Sequence, residues 1–255
     1  MRNKRCLVTG GSRGLGRAIC LGMARAGAKV AFTYAHDDGD AEDTRAALAE
    51  VMADASAGDP DSPDEQLQVY KGSVADRDHV RHVVRDLNQR WGGVDVLVAC
   101  AGVTQVLPLA LIEEEEWDEV MDVNAKGAFL FSRAVAKGMI RARSGRILYI
   151  GNFSSERLIE APVHFAAAKA ALRGLTEAMA REVGRYGVSV NLLAPGLLDV
   201  GLANMLPQHR IEEYLDMCPM RRLGRVDELA EVALFLISEQ NSFMTGAKVV
   251  VDGGL

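Results

Sequence analysis

The sequence contains no CxxC pair. Its four cysteines, Cys6, Cys20, Cys100 and Cys218, are scattered, and none stands with histidine at metal-ligand spacing. That argues against a zinc module or a disulfide framework, leaves no metal site to expect, and suits a reducing compartment. No long basic tract appears either. Lys and Arg number 29 against 35 Asp and Glu, for a formal net charge of −6, which argues against nucleic acid as the main partner. Long apolar runs are also missing. The first residues pass from basic side chains straight into Cys6-Leu7-Val8-Thr9, without a stretch long enough for a signal peptide. The run Ala230–Ile237 is too short to span a bilayer. A cytoplasmic protein with no membrane partner is therefore expected. With no internal repeat and no separating linker, residues 1–255 read as a single domain, long enough to bury a large core.

What is present is an alternation of short β-rich runs and helical patterns. The expected strands are Arg5–Thr9, Lys29–Tyr34, Gln68–Lys71, Val94–Ala99, Arg146–Ile150, Ser189–Ala194 and Lys248–Val251. Several are near-continuous apolar runs, as strands covered on both faces require. Helical periodicity marks Gly14–Ala26, Ala41–Ala53, Arg77–Trp91, Glu113–Arg141, Val163–Arg185 and Val226–Ser238. The pattern predicts an α/β fold: a Rossmann-like, doubly wound parallel seven-stranded sheet with helices on both faces. The small, acidic, proline-containing stretch Ala53–Glu65 cannot supply a packed face and reads as an exposed loop. Leu197–Pro219, following a strand end, is a candidate lid.

The first strand runs into Thr9-Gly10-Gly11-Ser12-Arg13-Gly14-Leu15-Gly16, which opens a helix. Glycines at 10, 14 and 16 allow a tight turn and close approach of backbone to a pyrophosphate, and the helix N-terminus adds free N–H groups and a positive dipole end. This is the strand–loop–helix context of a dinucleotide site. NAD binders usually carry an acid at the end of the second strand. Here that strand ends Thr33-Tyr34-Ala35-His36, with Asp37 and Asp38 only beyond it. Arg13 in the glycine loop can meet a 2′-phosphate bidentately. NADP (NADPH) is the expected cofactor.

Further segments extend the pattern to the end of the chain: Asp95–Gly102, Val123-Asn124-Ala125, Val190–Gly196, Arg222-Leu223-Gly224-Arg225, Thr245-Gly246 and Val251-Asp252-Gly253-Gly254. Together with Thr9–Gly16 these resemble the short-chain dehydrogenase/reductases over essentially the whole length, closest in flavour to bacterial 3-oxoacyl-ACP reductases. The resemblance implies hydride transfer between NAD(P)H and a carbonyl. It carries cofactor contacts to Gly10, Ser12, Arg13, Gly14, Leu15 and Gly16 in the loop, and to Tyr34, His36, Ser73 and Val74 at the second and third strand ends. It carries further contacts to Cys100, Ala101 and Gly102, to Lys169, and to Pro195, Gly196, Leu198 and Val200. In such enzymes a Tyr protonates the carbonyl oxygen, a Ser hydrogen-bonds it, a Lys four residues after the Tyr binds the ribose, and an Asn holds a relay water.

Lys169 and Asn124 match that set, but the Tyr position is Phe165 and the Ser position is Asn152. Asn152 can still donate an N–H; Phe165 has no proton to give. The family's usual Asn-Asn before Ala101-Gly102 is Ala99-Cys100, and its usual Thr after Pro195-Gly196 is Val200. Four departures thus fall around one pocket while the phosphate loop stays intact. Lys169, directly or through water and helped by Asn124, is a substitute acid, with ribose binding alone as its plainer role. His164 neighbours Phe165, but adjacent helical residues point about 100° apart. Ser154 and Ser155 read as rim or capping hydroxyls. Three functions stay open: an NADPH-dependent reductase of 3-oxoacyl thioesters with an atypical proton donor, a non-redox dehydratase or isomerase, or a cofactor-binding subunit paired with an active relative.

Arg141, Arg143 and Arg146 precede the fifth strand, and Arg173, Arg181 and Arg185 lie on the next helix. By resemblance Arg143 stands where such reductases meet an acidic acyl carrier protein; scattered solvated charges are the alternative. The resemblance also implies a homotetramer, or a hetero-oligomer with an active relative. Pairing would run through the helices Glu113–Arg141 and Val163–Arg185, with the C-terminal strand at a further interface. Phe129, Phe131, Ala167, Ala171 and Leu175 are apolar positions beyond one core-facing stripe.

Overall fold

In the computed structural model, which describes residues 1–55, 63–153 and 161–255, the apolar runs become seven strands: β1 Arg5–Thr9, β2 Lys29–Tyr34, β3 Leu67–Lys71, β4 Val96–Ala99, β5 Gly145–Ile150, β6 Val188–Pro195 and β7 Lys248–Val251. They form one sheet in the order β3-β2-β1-β4-β5-β6-β7, and every neighbouring pair is parallel. Parallel pairing needs a crossover after each strand, which the helices supply. They are α1 Gly14–Arg25, α2 Asp38–Ala55, the short α3 Pro63–Gln66, α4 Arg77–Trp91, α5 Glu114–Met121, α6 Gly127–Ala142, α7 Val163–Val183, α8 Gln208–Met217 and α9 Val226–Ile237.

The central strands are apolar on both sides because each face meets helices. One core joins Leu7, Leu97, Ile147 and Tyr149 to Val83 and Leu87 of α4, Phe131 and Val135 of α6 and Leu172 of α7. The other joins Val8, Phe32, Val98 and Leu148 to Ile19 and Met23 of α1, Leu48 of α2 and Ala233 of α9. This is the expected Rossmann-like α/β fold. Its chain order reverses between β1 and β4, so a crevice opens beyond their C-terminal ends.

The sequence boundaries shift at several elements. Strand β4 begins two residues later than expected; Asp95 before it keeps backbone bonds to Arg5 and Arg146 and adds carboxylate bonds to the Arg5 side chain at 2.8 and 2.5 Å. Helix α2 starts three residues early and runs to Ala55, and Pro63–Gln66 is a helical turn. Both ends of the expected loop Ala53–Glu65 are therefore helical, and its middle lies outside the described residues. The expected continuous helix Glu113–Arg141 is interrupted by a π-helical turn over Asp122–Lys126. There Asn124 Nδ2 donates to the Val120 carbonyl four residues back, at 2.9 Å. A side chain thus takes a carbonyl that the regular ladder would use.

Phe131 was expected among the surplus apolar positions, but it is fully buried in the core. Leu175 is half-buried against the same core. Phe129 is exposed, with the Arg133 guanidinium 5.6 Å from its ring centre. Ala171 is exposed and Ala167 half-buried. Helix α6 is sandwiched against α4 and α7, so its apolar stripe is wider than a surface helix needs.

Candidate active site

The crevice is built from strand ends. Thr9 Oγ1 accepts the N–H groups of Cys100 and Ala101, both at 3.2 Å, and clamps the end of β1 to the end of β4. Gly10 has φ +68°, and a methyl group on it would stand 2.7 Å from the Ala101 Cα. Only glycine meets both conditions. Gly16, in the first turn of α1, lies so close under the Gly10 carbonyl that any side chain would collide with it. Gly11 N–H donates to the Thr33 carbonyl at 3.1 Å, and Thr44 Oγ1 to the Ser12 carbonyl at 2.6 Å. These bonds fix the loop against β2 and α2. Leu15 is buried beneath it. Arg13 is extended at the N-cap of α1, and its side chain is 76% exposed, 3.6 Å from Asp40.

At the ends of β2 and β3, the Asp38 carboxylate accepts from the Tyr34 hydroxyl at 2.8 Å and from Lys71 Nζ at 2.7 Å. Lys71, and then Tyr34, hold Asp38 below the usual carboxylate range. His36 and Ser73 are exposed beside them. Val74 differs: its side chain is committed to the core against Gly127, so only its backbone can face the crevice.

The residues named around the reacting carbonyl come together in part. Lys169 reaches from α7 to donate to the Ile150 carbonyl at 3.0 Å and is only 5% exposed. Burial lowers its pKa to about 8, against a smaller opposing effect of the Cys100 thiol. Its ammonium lies 5.6 Å from the ring centre of Phe165. That ring is 7% exposed and sits in an apolar pocket with Val120 and Ala168, bordered by Val103, Met121 and Ala125. Asn124 Nδ2 also donates to the Val103 carbonyl at 2.7 Å. Asn124 Oδ1 is buried and has no partner among the described residues. A methyl group on Gly102 would stand 2.7 Å from Asn124 Oδ1 and 3.2 Å from Lys169 Nζ. Lys169 and Asn124 therefore face one small space above Gly102. Half-buried Cys100 and Ala101 border it, and burial raises the Cys100 thiol to about 11.

Asn152 is half-buried at the exit of β5. Ser154 and Ser155 lie outside the described residues. His164 is fully buried; its Nδ1 accepts the Phe165 N–H at 3.0 Å, which leaves the proton on Nε2. Nε2 has no partner among the described residues. Burial holds the ring below the usual histidine pKa, against a smaller opposing effect of Glu116.

Pro195 and Gly196 are buried at the end of β6, and Gly196 N–H donates to the Val251 carbonyl at 2.8 Å. Leu198 bridges to Gly224. Val200 stands across the crevice from the glycine loop, its Cγ2 3.8 Å from where a Gly14 methyl would be. The stretch expected as a lid, Leu197–Pro219, carries a 3-10 turn at Gly201–Met205 and then α8. It is anchored by Tyr214, whose hydroxyl accepts the Leu197 N–H at 3.1 Å and donates to the Asp252 carbonyl at 3.3 Å. Arg143 caps α6 with φ +52° and donates to the Arg185 carbonyl at 3.3 Å. It precedes the first residue of β5, so within one chain it lies at the opposite sheet end from Lys169 and Ile150.

The residues present fit a dinucleotide. Gly10 and Gly16 let the loop close tightly at the end of β1, nothing but Val200 lies within 4 Å of a methyl placed on Gly14, the loop leads into the α1 N-terminus, and Asn124 Oδ1 has no donor among the described residues. No helix among the described residues is long and apolar enough to cross a membrane.

Residues 10–255 match a family described as enoyl-(acyl carrier protein) reductase. The chain is 33% identical over 255 residues to the 3-oxoacyl-[acyl-carrier-protein] reductase FabG of Thermotoga maritima, covering 100% of this chain and 98% of the relative. It is 35% identical to the FabG of Pseudomonas aeruginosa, with the same coverage. Among solved structures, a gluconate 5-dehydrogenase from Burkholderia cenocepacia in complex with NADP and tartrate superimposes with TM-score 0.87 at 32% identity, covering 100% of this chain and 96% of the other. A crystal structure of gox2181 gives TM-score 0.88 at 27% identity, covering 99% and 95%. Full-length identity, strand order and the glycine cradle agree: the chain belongs to the short-chain dehydrogenase/reductase family of oxidoreductases.

Proposed function

We propose that the chain is an NADPH-dependent reductase of 3-oxoacyl thioesters in which the Lys169 ammonium is the proton source. The observation that carries this reading is the buried Lys169 amine, fixed on the Ile150 carbonyl, with its pKa brought down to about 8. A general acid is most effective when its pKa lies near the working pH. When bound, the reduced nicotinamide supplies hydride to the substrate carbonyl carbon. The carbonyl oxygen then gains negative charge and needs a proton. Phe165 has none to give. Asn152 offers one neutral N–H, worth about 0.5–1.5 kcal/mol net. Lys169 has three N–H bonds, one of which goes to Ile150, and its nitrogen borders the space above Gly102 that Asn124 Oδ1 also borders. A water held there by Asn124 would extend its reach. The glycine loop and Arg13 hold the pyrophosphate and the 2′-phosphate. Their electrostatics, with the NADP found in the Burkholderia structure, support NADPH over NADH.

The FabG relatives support a 3-oxoacyl thioester as substrate. Its acyl group would arrive on an acidic carrier protein that Arg143 and neighbouring arginines attract. Because Arg143 lies at the far sheet end, that docking serves the crevice best in an oligomer, and a homotetramer is the assembly proposed.

The test is NADPH oxidation with an acetoacetyl thioester, using protein confirmed by mass to carry Phe165. Slow formation of the 3-hydroxyacyl thioester, in step with NADPH consumed, is expected. Absence of product even at stoichiometric enzyme would reject the reductase reading in favour of a cofactor-binding subunit.

A further inference from the structure

We propose that Lys71 is a second cation of the 2′-phosphate subsite, which Asp38 holds ready at the mouth of the crevice. This inference rests on the NADPH reading above and names a residue that no glycine-loop pattern contains.

The fold places Lys71 there. Strands β2 and β3 run parallel, with Tyr34 opposite Lys71, and Gly72 N–H donates to the Tyr34 carbonyl at 2.8 Å. The C-terminal ends of both strands are thus level. Arg13 reaches the same mouth from the other side, because Gly11 is bonded to Thr33 and Ser12 to Thr44 of α2. The first turn of α2 supplies the acids: Asp38 pairs with Lys71 at 2.7 Å and Asp40 with Arg13 at 3.6 Å.

Charge makes one cation insufficient. Asp38 and Asp40 already pair with Lys71 and Arg13, the Asp37 carboxylate accepts the Asp40 N–H at 2.9 Å, and His36 is exposed beside them. A phosphate monoester brings roughly two further negative charges at neutral pH. With Asp38 and Asp40 paired to Lys71 and Arg13, the two cations together equal the charge a phosphate brings, whereas Arg13 alone equals half of it.

The hydrogen bonding leaves Lys71 free to take part. Its ammonium has three donors, and Asp38 uses one. The Tyr34 hydroxyl bonds the other Asp38 oxygen at 2.8 Å, so the carboxylate keeps a donor when Lys71 leans toward a phosphate. Asp38 therefore positions the lysine without consuming it. In an NAD binder an acid at this place would take the ribose hydroxyl itself; here Lys71 and Tyr34 occupy both of its oxygens.

The test measures binding without turnover, by calorimetry with adenosine 2′,5′-bisphosphate and with AMP. Lys71→Met should weaken the bisphosphate about tenfold, the loss of one charged hydrogen bond, and leave AMP unchanged. Because Lys71→Met also leaves Asp38 without its cation, the pair is repeated in an Asp38→Asn background. There the added Lys71→Met should again cost about tenfold relative to Asp38→Asn alone. If the unmodified protein binds bisphosphate and AMP equally, both the NADPH reading and the role of Lys71 are rejected. If it prefers the bisphosphate and the double variant keeps the full preference of Asp38→Asn, Lys71 is rejected and the NADPH reading stands.

Discussion

Phe165→Tyr together with Asn152→Ser should raise reductase turnover at least about tenfold, since a positioned general acid contributes about 10² to 10⁴ in rate. That range corresponds to roughly 3–5 kcal/mol of barrier. Several features of the site set how much is recovered. The Phe165 ring is 7% exposed, so a new hydroxyl enters a nearly closed pocket lined by Val120 and Ala168. An unmet hydroxyl there would cost about 1–3 kcal/mol of stability. Against this, the Lys169 ammonium lies 5.6 Å from the ring centre, near enough to favour the phenolate and lower the phenol pKa. Asn152→Ser restores a small hydroxyl at the exit of β5. The assay is steady-state NADPH oxidation with a 3-oxoacyl thioester at saturating cofactor, beside a thermal melt of each variant. A double variant that folds, binds NADPH and is no faster than the parent would refute the reasoning, because proton supply at the Phe165 position would then not limit the rate.

NADPH should bind at least about tenfold more tightly than NADH, one charged contact's worth; cofactor fluorescence titration checks this, and equal affinities would contradict it. Lys169→Met should stabilise the cofactor-free protein at neutral pH by up to about 3 kcal/mol, since each unit of pKa shift is worth 1.36 kcal/mol, less the lost bond to Ile150. The sign follows from linkage. Between about pH 8 and the unfolded lysine value near 10.4, the unfolded chain holds a proton that the native chain does not, so parent stability rises with pH there. The gain from Lys169→Met should therefore be full below about pH 8 and fade above it; denaturant unfolding at several pH values measures this, and a constant difference would contradict it. Light scattering at micromolar concentration should report a tetramer, consistent with exposed Trp117, Phe129 and Val163 near the α5–α7 face; a monomer would refute that assembly.

The sheet was legible because its strands are continuous apolar runs, and the glycine loop because Gly10, Gly14 and Gly16 keep their spacing right after β1. The π turn at Asp122–Lys126 was not, since it depends on Asn124 bonding both the Val120 and Val103 carbonyls, the second of them across the fold. The burial of Phe131 was missed because α6 packs against two helices, which widens its apolar face beyond one stripe. Lys71 looks in sequence like an ordinary charge closing a strand; only the register with Tyr34 and the first turn of α2 bring it to the crevice mouth. Lys169 is legible through its match to the family, but its lowered pKa arises from burial in the folded chain, which no spacing encodes. Helical geometry argues against His164 as the acid, and the burial of its Nε2 without a partner among the described residues is a tertiary fact that its sequence neighbours do not carry.

The single-turnover rate of NADPH oxidation by the Phe165 protein as a function of pH tests the role of Lys169 most directly. With saturating NADPH and 3-oxoacyl thioester, the rate should fall as pH rises through about 8, where the Lys169 ammonium loses its proton. Lys169→Met, at the same saturation, should be slower by about 10² or more, as loss of a general acid requires, and should lack that inflection. A rate independent of pH across this range, or a Lys169→Met variant as fast as the parent, would contradict Lys169 as the proton source.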